Sequence, residues 1–431
     1  MRILHTSDWH LGLSTGPASR IDEQTWFLDW LFDTLQSREV DVLLVAGDVF
    51  DTMHPSAEAQ QLYYRFLARV GQAGVRDVVV VGGNHDSPSQ LDAPRALLEE
   101  VSVHVVGGVP ASEERASRMI APLRARGSDD VAAVCLAVPY VHEYRLGIRT
   151  SDLDTEQTRA AFKSAFSELY TRLADHAQEK YPGAPLVATG HLTMGVGVSR
   201  EDYPQEIHQV GSIEGLPVDL LDPRIRYTAL GHIHRCFPIA GSSAWYCGTP
   251  IPYSLNEMAV KREVLVVDLG DPLEAEASVQ RVEVPPNREL VQLTGDPEKV
   301  LADLCALTWT TRLPPLVHVR VETKMAEPGL SRRLYEAVAS HRASGGRPEL
   351  VEVQQRAALV DGENQARSLP SLEGLEPTDV FGLLCDAQQL EGDSRQQLEA
   401  VFGEIASADN ETFETMVAAI EQPPTAKGEA S

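Results

Sequence analysis

Five short segments of the chain gather side chains that can hold metal ions: Asp8-Trp9-His10, Gly47-Asp48-Val49-Phe50-Asp51, Gly83-Asn84-His85-Asp86, Gly190-His191 and Gly231-His232-Ile233-His234. A lone Asp-x-His or Gly-His pair arises by chance in many chains. Five in this order, each after a strand-like stretch, form a strong signal. Carboxylate, imidazole and amide donors without thiolate suit manganese, iron or zinc better than magnesium or calcium. Two such ions about 3.5–4 Å apart need one bridging carboxylate and separate ligands on each side. Asp48 is the natural bridge. One ion then takes Asp8, His10 and His234, and the other takes Asn84, His191 and His232. His232 and His234 lie two apart on an extended loop, so both reach one pocket and still serve different ions. An ion pair of this kind supports hydrolytic displacement, because both ions stabilise the charge that develops.

His85 adjoins Asn84 but is not needed as a further ligand. Asp51, three residues beyond Asp48, could hold its ring in one tautomer, and a His oriented in this way beside two ions is placed to protonate a departing alkoxide. The competing reading makes His85 a structural histidine behind the ligands. Asp86 reads as a stabiliser of its own loop. His5, on the first strand, receives no role. His54, His104, His142, His176, His208, His318 and His341 read as surface or satisfied core residues, and Trp26, Phe27, Trp30 and Phe32 as core.

These segments need elements to position them. Met1–Ser7, Val40–Ala46, Val75–Val81 and Val101–Val106 are brief, apolar and bounded by turn residues, which predicts buried strands. Ile21–Gln36 and Ser56–Val70 have helical spacing between them, and that alternation predicts parallel strands with crossover helices. Val131–Val138, Leu186–Thr189 and Arg226–Leu230 are further strands. Thr155–Lys180 is a long helix ended by Tyr181-Pro182-Gly183. Trp245–Cys247 and Val264–Leu269 are expected to complete an antiparallel edge. Functional loops gather at the carboxyl ends of strands in open α/β sheets, where each ligand segment falls.

Pro285-Pro286 marks a boundary, so residues 1–285 form the domain that carries the ligands. Residues 286–364 follow as a small α+β unit with the order strand, helix, strand, helix, strand. Residues 365–376 read as a linker, 377–421 as a helical segment with apolar residues at helical spacing, and 422–431 as a disordered tail. Amphipathic helices without a visible domain around them dock either on a partner or on their own chain.

The 43% apolar content supports a packed core. No apolar run is long enough to span a membrane, the amino terminus lacks an apolar leader, and five scattered cysteines fit buried residues of a cytoplasmic protein better than disulfides or zinc ligands. The net charge of −26 repels polyanions at long range. Two divalent ions outweigh Asp8 and Asp48, however, and leave the pocket locally positive.

At the five motifs the chain resembles the calcineurin-like metallophosphoesterase superfamily and, within it, the SbcD-type DNA nucleases. The resemblance rests on Ile3-Leu4-His5-Thr6-Ser7-Asp8-Trp9-His10-Leu11-Gly12, Gly47-Asp48-Val49-Phe50-Asp51, Ala188-Thr189-Gly190-His191-Leu192-Thr193, Ala229-Leu230-Gly231-His232-Ile233-His234 and Cys247-Gly248-Thr249-Pro250-Ile251-Pro252. It covers about the first 270 residues and beyond Pro285 is one of organisation only. It implies a four-layer αββα sandwich with a small α+β capping domain and a helical C-terminal segment. It further implies manganese-dependent cleavage of DNA at duplex ends, single strands and hairpins, in end processing and repair. The implied assembly is a homodimer within a heterotetramer with SbcC, a coiled-coil ATPase, for which residues 377–421 are the expected docking segment. The family's metal ligands agree with the assignment above. Archaeal relatives tend to carry His where this chain has Asp51, which leaves the ring-orienting role of Asp51 to be tested.

Two rival readings share the fold. The first is a phosphatase or nucleotidase; protein phosphatases usually continue the second motif with Arg-Gly and read Asn-His-Glu in the third, whereas this chain has Thr52-Met53 and Asn84-His85-Asp86. A non-catalytic DNA-end-binding subunit would not need the complete ligand set.

Overall fold

The computed structural model describes residues 1–148, 154–195, 216–258, 260–270, 277–323, 329–341 and 346–357, with Arg395 and Phe402. Two six-stranded sheets dominate. The first runs in the order Ser278–Glu283, Glu263–Asp268, Arg2–Thr6, Val42–Ala46, Asp77–Val81, Val103–Val106. Its last four strands are parallel, and Glu263–Asp268 joins Arg2–Thr6 antiparallel. The second runs Phe237–Pro238, Ala244–Tyr246, Ile225–Gly231, Leu186–His191, Val131–Leu136, Ile120–Arg124, with its four inner strands parallel.

Val42–Ala46 and Asp77–Val81 are buried throughout, as expected of parallel strands covered on both faces. Because side chains alternate along a strand, one run feeds two cores. Leu43, Val45, Val78 and Val80 pack with Phe27, Leu31 and Phe66 under helices Ile21–Ser37 and Ala57–Val70. Val42, Leu44, Val79 and Val81 face Leu136, Val187 and Ala229 of the second sheet. Phe162, Phe166 and Tyr170 of helix Thr155–Lys180 join that second core. The result is helix, sheet, sheet, helix: the four-layer sandwich expected from the sequence. Helix Thr155–Lys180 begins at a capping box made by Asp154 and Gln157, and Ser56 caps Ala57–Val70, each satisfying amide groups that a helix start leaves open.

The expected antiparallel edge is not one edge. Ala244–Tyr246 and Glu263–Asp268 lie in different sheets, and Ala244–Tyr246 runs parallel to Ile225–Gly231. A three-residue apolar run carries no information about direction, which is set here by the antiparallel Phe237–Pro238 pairing before it. The rim strands Ile120–Arg124 and Ser278–Glu283 escape the sequence reading. The first contains Pro122, tolerated at an edge, and the second is mostly polar and exposed.

Beyond the sandwich, Leu290–Gly295, Leu316–Thr323 and Glu349–Ala357 form a parallel three-stranded sheet. With helices Pro297–Ala306 and Leu330–Ser340 it encloses its own core around Val300, Leu304, Val319 and Leu334. It belongs to the same compact unit as the sandwich, Met1–Leu359. Two of the contacts that join them involve Ala18 and Glu23. Ala18, in the hairpin Ser14–Thr15/Ala18–Ser19, packs with Leu290, Leu316 and Val351. Buried Glu23 lies between two buried guanidinium groups, taking hydrogen bonds from Arg20 at 2.5 and 2.7 Å and facing Arg288 at 3.5 Å. The linker, helical segment and tail read between 365 and 431 lie outside the described residues, apart from Arg395 and Phe402. Among the described residues no helix is long and apolar enough to cross a membrane.

Removing Glu23 leaves buried Arg20 without its carboxylate and leaves buried Arg288 only Glu349. Glu23→Ala is expected to cost about 3–5 kcal/mol, the usual penalty for breaking a buried pair, read as a lower urea midpoint. A wild-type midpoint would show that the cluster is not a structural joint.

Candidate metal centre

All seven candidate ligands stand at the carboxyl ends of strands in the two facing sheets. Asp8 and His10 follow Arg2–Thr6, Asp48 follows Val42–Ala46, and Asn84 follows Asp77–Val81. His191 closes Leu186–His191, and His232 and His234 follow Ile225–Gly231. Four of them have left-handed backbones, with φ of 53° at Asp8, 43° at His10, 48° at Asp48 and 91° at His232. Such conformations cost a non-glycine residue roughly 1–3 kcal/mol and persist where the surroundings enforce them. Here the enforcement is a zip between the first two loops: the Asp8 amide donates to the Gly47 carbonyl at 2.9 Å and the His10 amide to the Asp48 carbonyl at 3.0 Å. Gly47 has φ of +89°, and a Cβ on it would lie 2.1 Å from the His191 ring, so this glycine answers both a turn and a close approach.

On one side, Asn84 meets two imidazoles. His191 donates through Nδ1 to the Ala46 carbonyl at 2.9 Å, which fixes its tautomer and turns Nε2 inward. Nε2 then lies 3.0 Å from Asn84 Oδ1 and 3.2 Å from Asp48 Oδ2. His232 Nδ1 lies 3.0 Å from the same Asn84 oxygen. On the other side, ligand atoms of Asp8, His10 and His234 all lie within 4.8 Å of one another, as do those of Asp8, Asp48 and His191. Asp48 lies 3.2 Å from His191 of the first group and 3.7 Å from His10 of the second, so it stands between the two.

The donor set fits divalent cations. His10 Nε2 is buried without a hydrogen-bond partner, 3.7 Å from Asp48 Oδ2, and a buried polar atom left so is costly unless something binds it. Charge points the same way. Burial alone would raise the Asp48 carboxyl, yet the facing His191, then His10 and His85, hold it well below the usual carboxylate range. Burial would lower His191, but Asp48 lifts it to about 9. His10 is likewise raised against its burial by Asp51, Asp48 and Asp8. His232 is pushed down to about 3 by burial and by His191, which keeps it a neutral donor. A pocket that draws protons onto imidazoles beside carboxylates releases those protons when metal ions take their place.

His85 is exposed at the rim, its ring edge-on to His10 with centroids 4.8 Å apart. Asp51 orients it through the main chain: His85 Nδ1 donates to the Asp51 carbonyl at 2.8 Å. The Asp51 carboxylate, expected on His85, instead lies 3.3 Å from His10 Nδ1. The backbone explains the difference, since the Asp51 amide is tied to the Leu11 carbonyl and Leu11 bridges Phe50, which lays Asp51 beside the His10 loop.

Asp86 does more than stabilise its own loop. It is buried and accepts the amides of Gly83, Val49 and Phe50 at 2.8, 3.0 and 2.9 Å, clamping the Asn84 loop to the Asp48 loop. Burial and the Asp48 charge push its carboxyl up to about 6 against the pull of those amides. Glu257, Tyr253 and Arg262 escape the sequence reading altogether. They surround His234 and His10, and only their place just after the Cys247–Pro252 motif hints at a role. His5 is buried between the sheets, with Nδ1 2.8 Å from the Tyr227 hydroxyl. His104, His176 and His341 bond main-chain carbonyls elsewhere.

Comparison with known proteins adds relatives to this geometry. The calcineurin-like phosphoesterase family matches residues 1–236, and the type 5 capsule protein repressor C-terminal domain matches residues 286–389. The SbcD subunit of nuclease SbcCD from Escherichia coli strain K12 is 31% identical over 422 residues, covering 93% of this chain and 97% of that protein. Its counterpart from Rhodobacter capsulatus is 37% identical over 275 residues, 63% of this chain and 67% of the relative. That of Bacillus subtilis strain 168 is 33% identical over 275 residues, covering 62% and 66%.

Asp86→Ala strands three amides. It should cost about 3 kcal/mol or more, at 1–3 kcal/mol for each unsatisfied group, and weaken divalent-cation binding by roughly tenfold. Denaturation and calorimetric titration read the two effects. Wild-type divalent-cation affinity in this variant would show that the ligand loops keep their geometry without the clamp.

Proposed function

The chain belongs to the calcineurin-like phosphoesterases, in the branch of the SbcD nucleases, and from that premise we propose a two-manganese DNA nuclease that works as one subunit of a complex with an SbcC-like coiled-coil ATPase. That it is a metal-dependent nuclease follows from the family. The observation that carries the finer reading is the convergence of six donors around one shared aspartate. Asp8, His10 and His234 would hold one ion, Asn84, His191 and His232 the other, and Asp48 both. When bound, the pair would act as a Lewis acid toward water and neutralise charge developing on the phosphoryl oxygens.

The remaining steps belong to the chain's own residues. The His191 bond to Ala46 and the Asp86 clamp hold the donors in place before substrate arrives. His85 is the general acid. With Nδ1 donating to the Asp51 carbonyl, Nε2 is the atom that exchanges a proton. It protonates the departing 3′ oxygen and leaves a 5′-phosphate. Asp51 contributes on both sides, through its carbonyl to His85 and through its carboxylate to His10. The net charge of −26 makes the attraction of a phosphodiester a short-range matter, confined to the ion-filled pocket.

The proposed substrates are DNA duplex ends, single strands and hairpins, and the proposed setting is the cytoplasm, where chromosomal DNA is within reach. The assembly we infer is a homodimer within a heterotetramer with two SbcC-like chains. Residues 286–364 serve as the capping domain and residues 377–421 as the partner-binding segment. Support for that segment is its amphipathic spacing and acidic composition.

His85→Ala should keep the wild-type Mn2+ stoichiometry and lose about a hundred- to ten-thousandfold in rate, measured on a labelled hairpin duplex with a phosphopeptide in parallel. Cleavage at the wild-type rate would remove the acid role, and hydrolysis of the phosphopeptide alone would favour a phosphatase. Deleting Thr378–Ile420 should abolish co-purification with the SbcC-like subunit while leaving Mn2+ binding intact. Undiminished co-purification would place the docking surface elsewhere.

A further inference from the structure

His234 is held by residues outside the five ligand motifs. Its Nδ1 lies 3.0 Å from Glu257 Oε1, so Nδ1 carries the proton and Nε2 is the ring's remaining ligating atom. Glu257 is 3% exposed. Its second oxygen is also occupied, by the Thr249 hydroxyl at 3.3 Å, the Tyr253 amide at 3.2 Å and the Arg262 guanidinium at 3.2 Å. Arg262, buried as well, donates to the His234 carbonyl at 3.0 Å and to Thr249 Oγ1 at 2.6 Å. Ring and main chain of one ligand are thus gripped by a single Glu–Arg pair. The Tyr253 hydroxyl donates to the Trp9 and Asp8 carbonyls, and its ring lies against His10 and His234. The segment from Thr249 to Arg262 therefore frames the Asp8, His10 and His234 side of the centre, and it lies wholly beyond the residues matched by the phosphoesterase family.

The short helical turn Leu255–Glu257 faces two ways. Leu255 packs with Ala18, Leu290, Leu316 and Val351, where the hairpin and the three-stranded sheet meet. Glu257, two residues on, reaches His234. The same stretch is tied through the Pro252 carbonyl to Arg20 Nη2 at 2.8 Å, and Arg20 belongs to the buried cluster of Glu23 and Arg288. A Glu–Arg ion pair that served only stability would not need an imidazole on its free oxygen.

We propose that Glu257 is a positioning residue for His234, and that the small domain braces the turn that carries it. The inference rests on the reading of Asp8, His10 and His234 as one ion site. A carboxylate behind a ligating imidazole fixes the ring and raises its basicity, and loss of such a partner weakens metal binding by about 10–100-fold.

The test is Mn2+ titration of the full chain by calorimetry, with folding followed by circular dichroism. Glu257→Gln, close in shape, should weaken one of the two Mn2+ sites by about tenfold or more and spare the other. His234→Ala should lose the same site. The double variant should be no weaker than His234→Ala, since residues that act through each other are not additive. Leu255→Ala, which keeps the carboxylate, should weaken that site to a smaller degree. Wild-type Mn2+ binding by Glu257→Gln, or a loss that adds to that of His234→Ala, overturns the positioning role. Wild-type binding by Leu255→Ala overturns the brace. Two wild-type sites in His234→Ala would instead sink the ligand assignment, and the positioning role with it.

Discussion

A carboxylate that is almost sealed from water organises this protein. Asp48 is 2% exposed, and burying an ionised group is costly unless its charge is met. The chain meets it from every side. His191 lies at 3.2 Å, His10 at 3.7 Å, and the His85 amide donates at 2.9 Å. Those partners come from strand ends of both sheets, so the charge of Asp48 can be satisfied only when the two sheets end at the same place. The face-to-face packing of the sandwich is in that sense a condition of the site. Val42, Leu44 and Ala46, which lead the chain to Asp48, are the same residues that fill the space between the sheets.

The shared position also accounts for the strain. Four ligands with left-handed backbones are too many to be incidental, and each is fixed by a hydrogen bond or loop that belongs to another ligand. The Asp8 and His10 amides hold the second loop, Asp86 holds the second to the third, and the His232 amide donates to Asp8 at 2.9 Å. No loop is held by its own residues alone. Strain is therefore kept collectively, and disturbance of one loop reaches the others.

Much of this is legible in the sequence, and the reason is physical. The parts of strands buried on both faces must be largely apolar, which makes Val42–Ala46 and the valine run 78–81 visible. Ligands must stand where strands end, and four of those five ends carry a Gly-Asp, Gly-Asn or Gly-His pair, the first reading Ser7-Asp8-Trp9-His10 instead. What stays hidden is whatever depends on three-dimensional reach. Asp86 looks like any loop carboxylate until three amides are seen to converge on it. Glu257 lies 23 residues from His234, with no periodic pattern to connect them. Asp51 is recognisable as an orienting residue, but whether its side chain or its carbonyl faces His85 does not follow from spacing. The direction of Ala244–Tyr246 is lost for a similar reason, because a strand of three residues is placed by its neighbours rather than by its own composition.

The first turn of helix Ile21–Ser37 shows how far this coupling extends. Gln24 donates to the His10 carbonyl at 2.7 Å and accepts the Gly12 amide at 2.9 Å, so it fixes the exit from the first ligand loop. One residue earlier, Glu23 binds Arg20 and faces Arg288, and Arg288 in turn faces Glu349 of the small domain at 3.5 Å. Arg20 completes the circuit at the Pro252 carbonyl, within the segment that frames His234. A single helical turn thus touches a ligand loop, the segment behind another ligand and the entry to the second domain. A buried ion cluster gives little net stability over an apolar one. Its retention at this junction is better explained by geometry: charged groups with directional partners fix where the second domain meets the ligand loops, and apolar side chains of the same volume would leave that register free to slide.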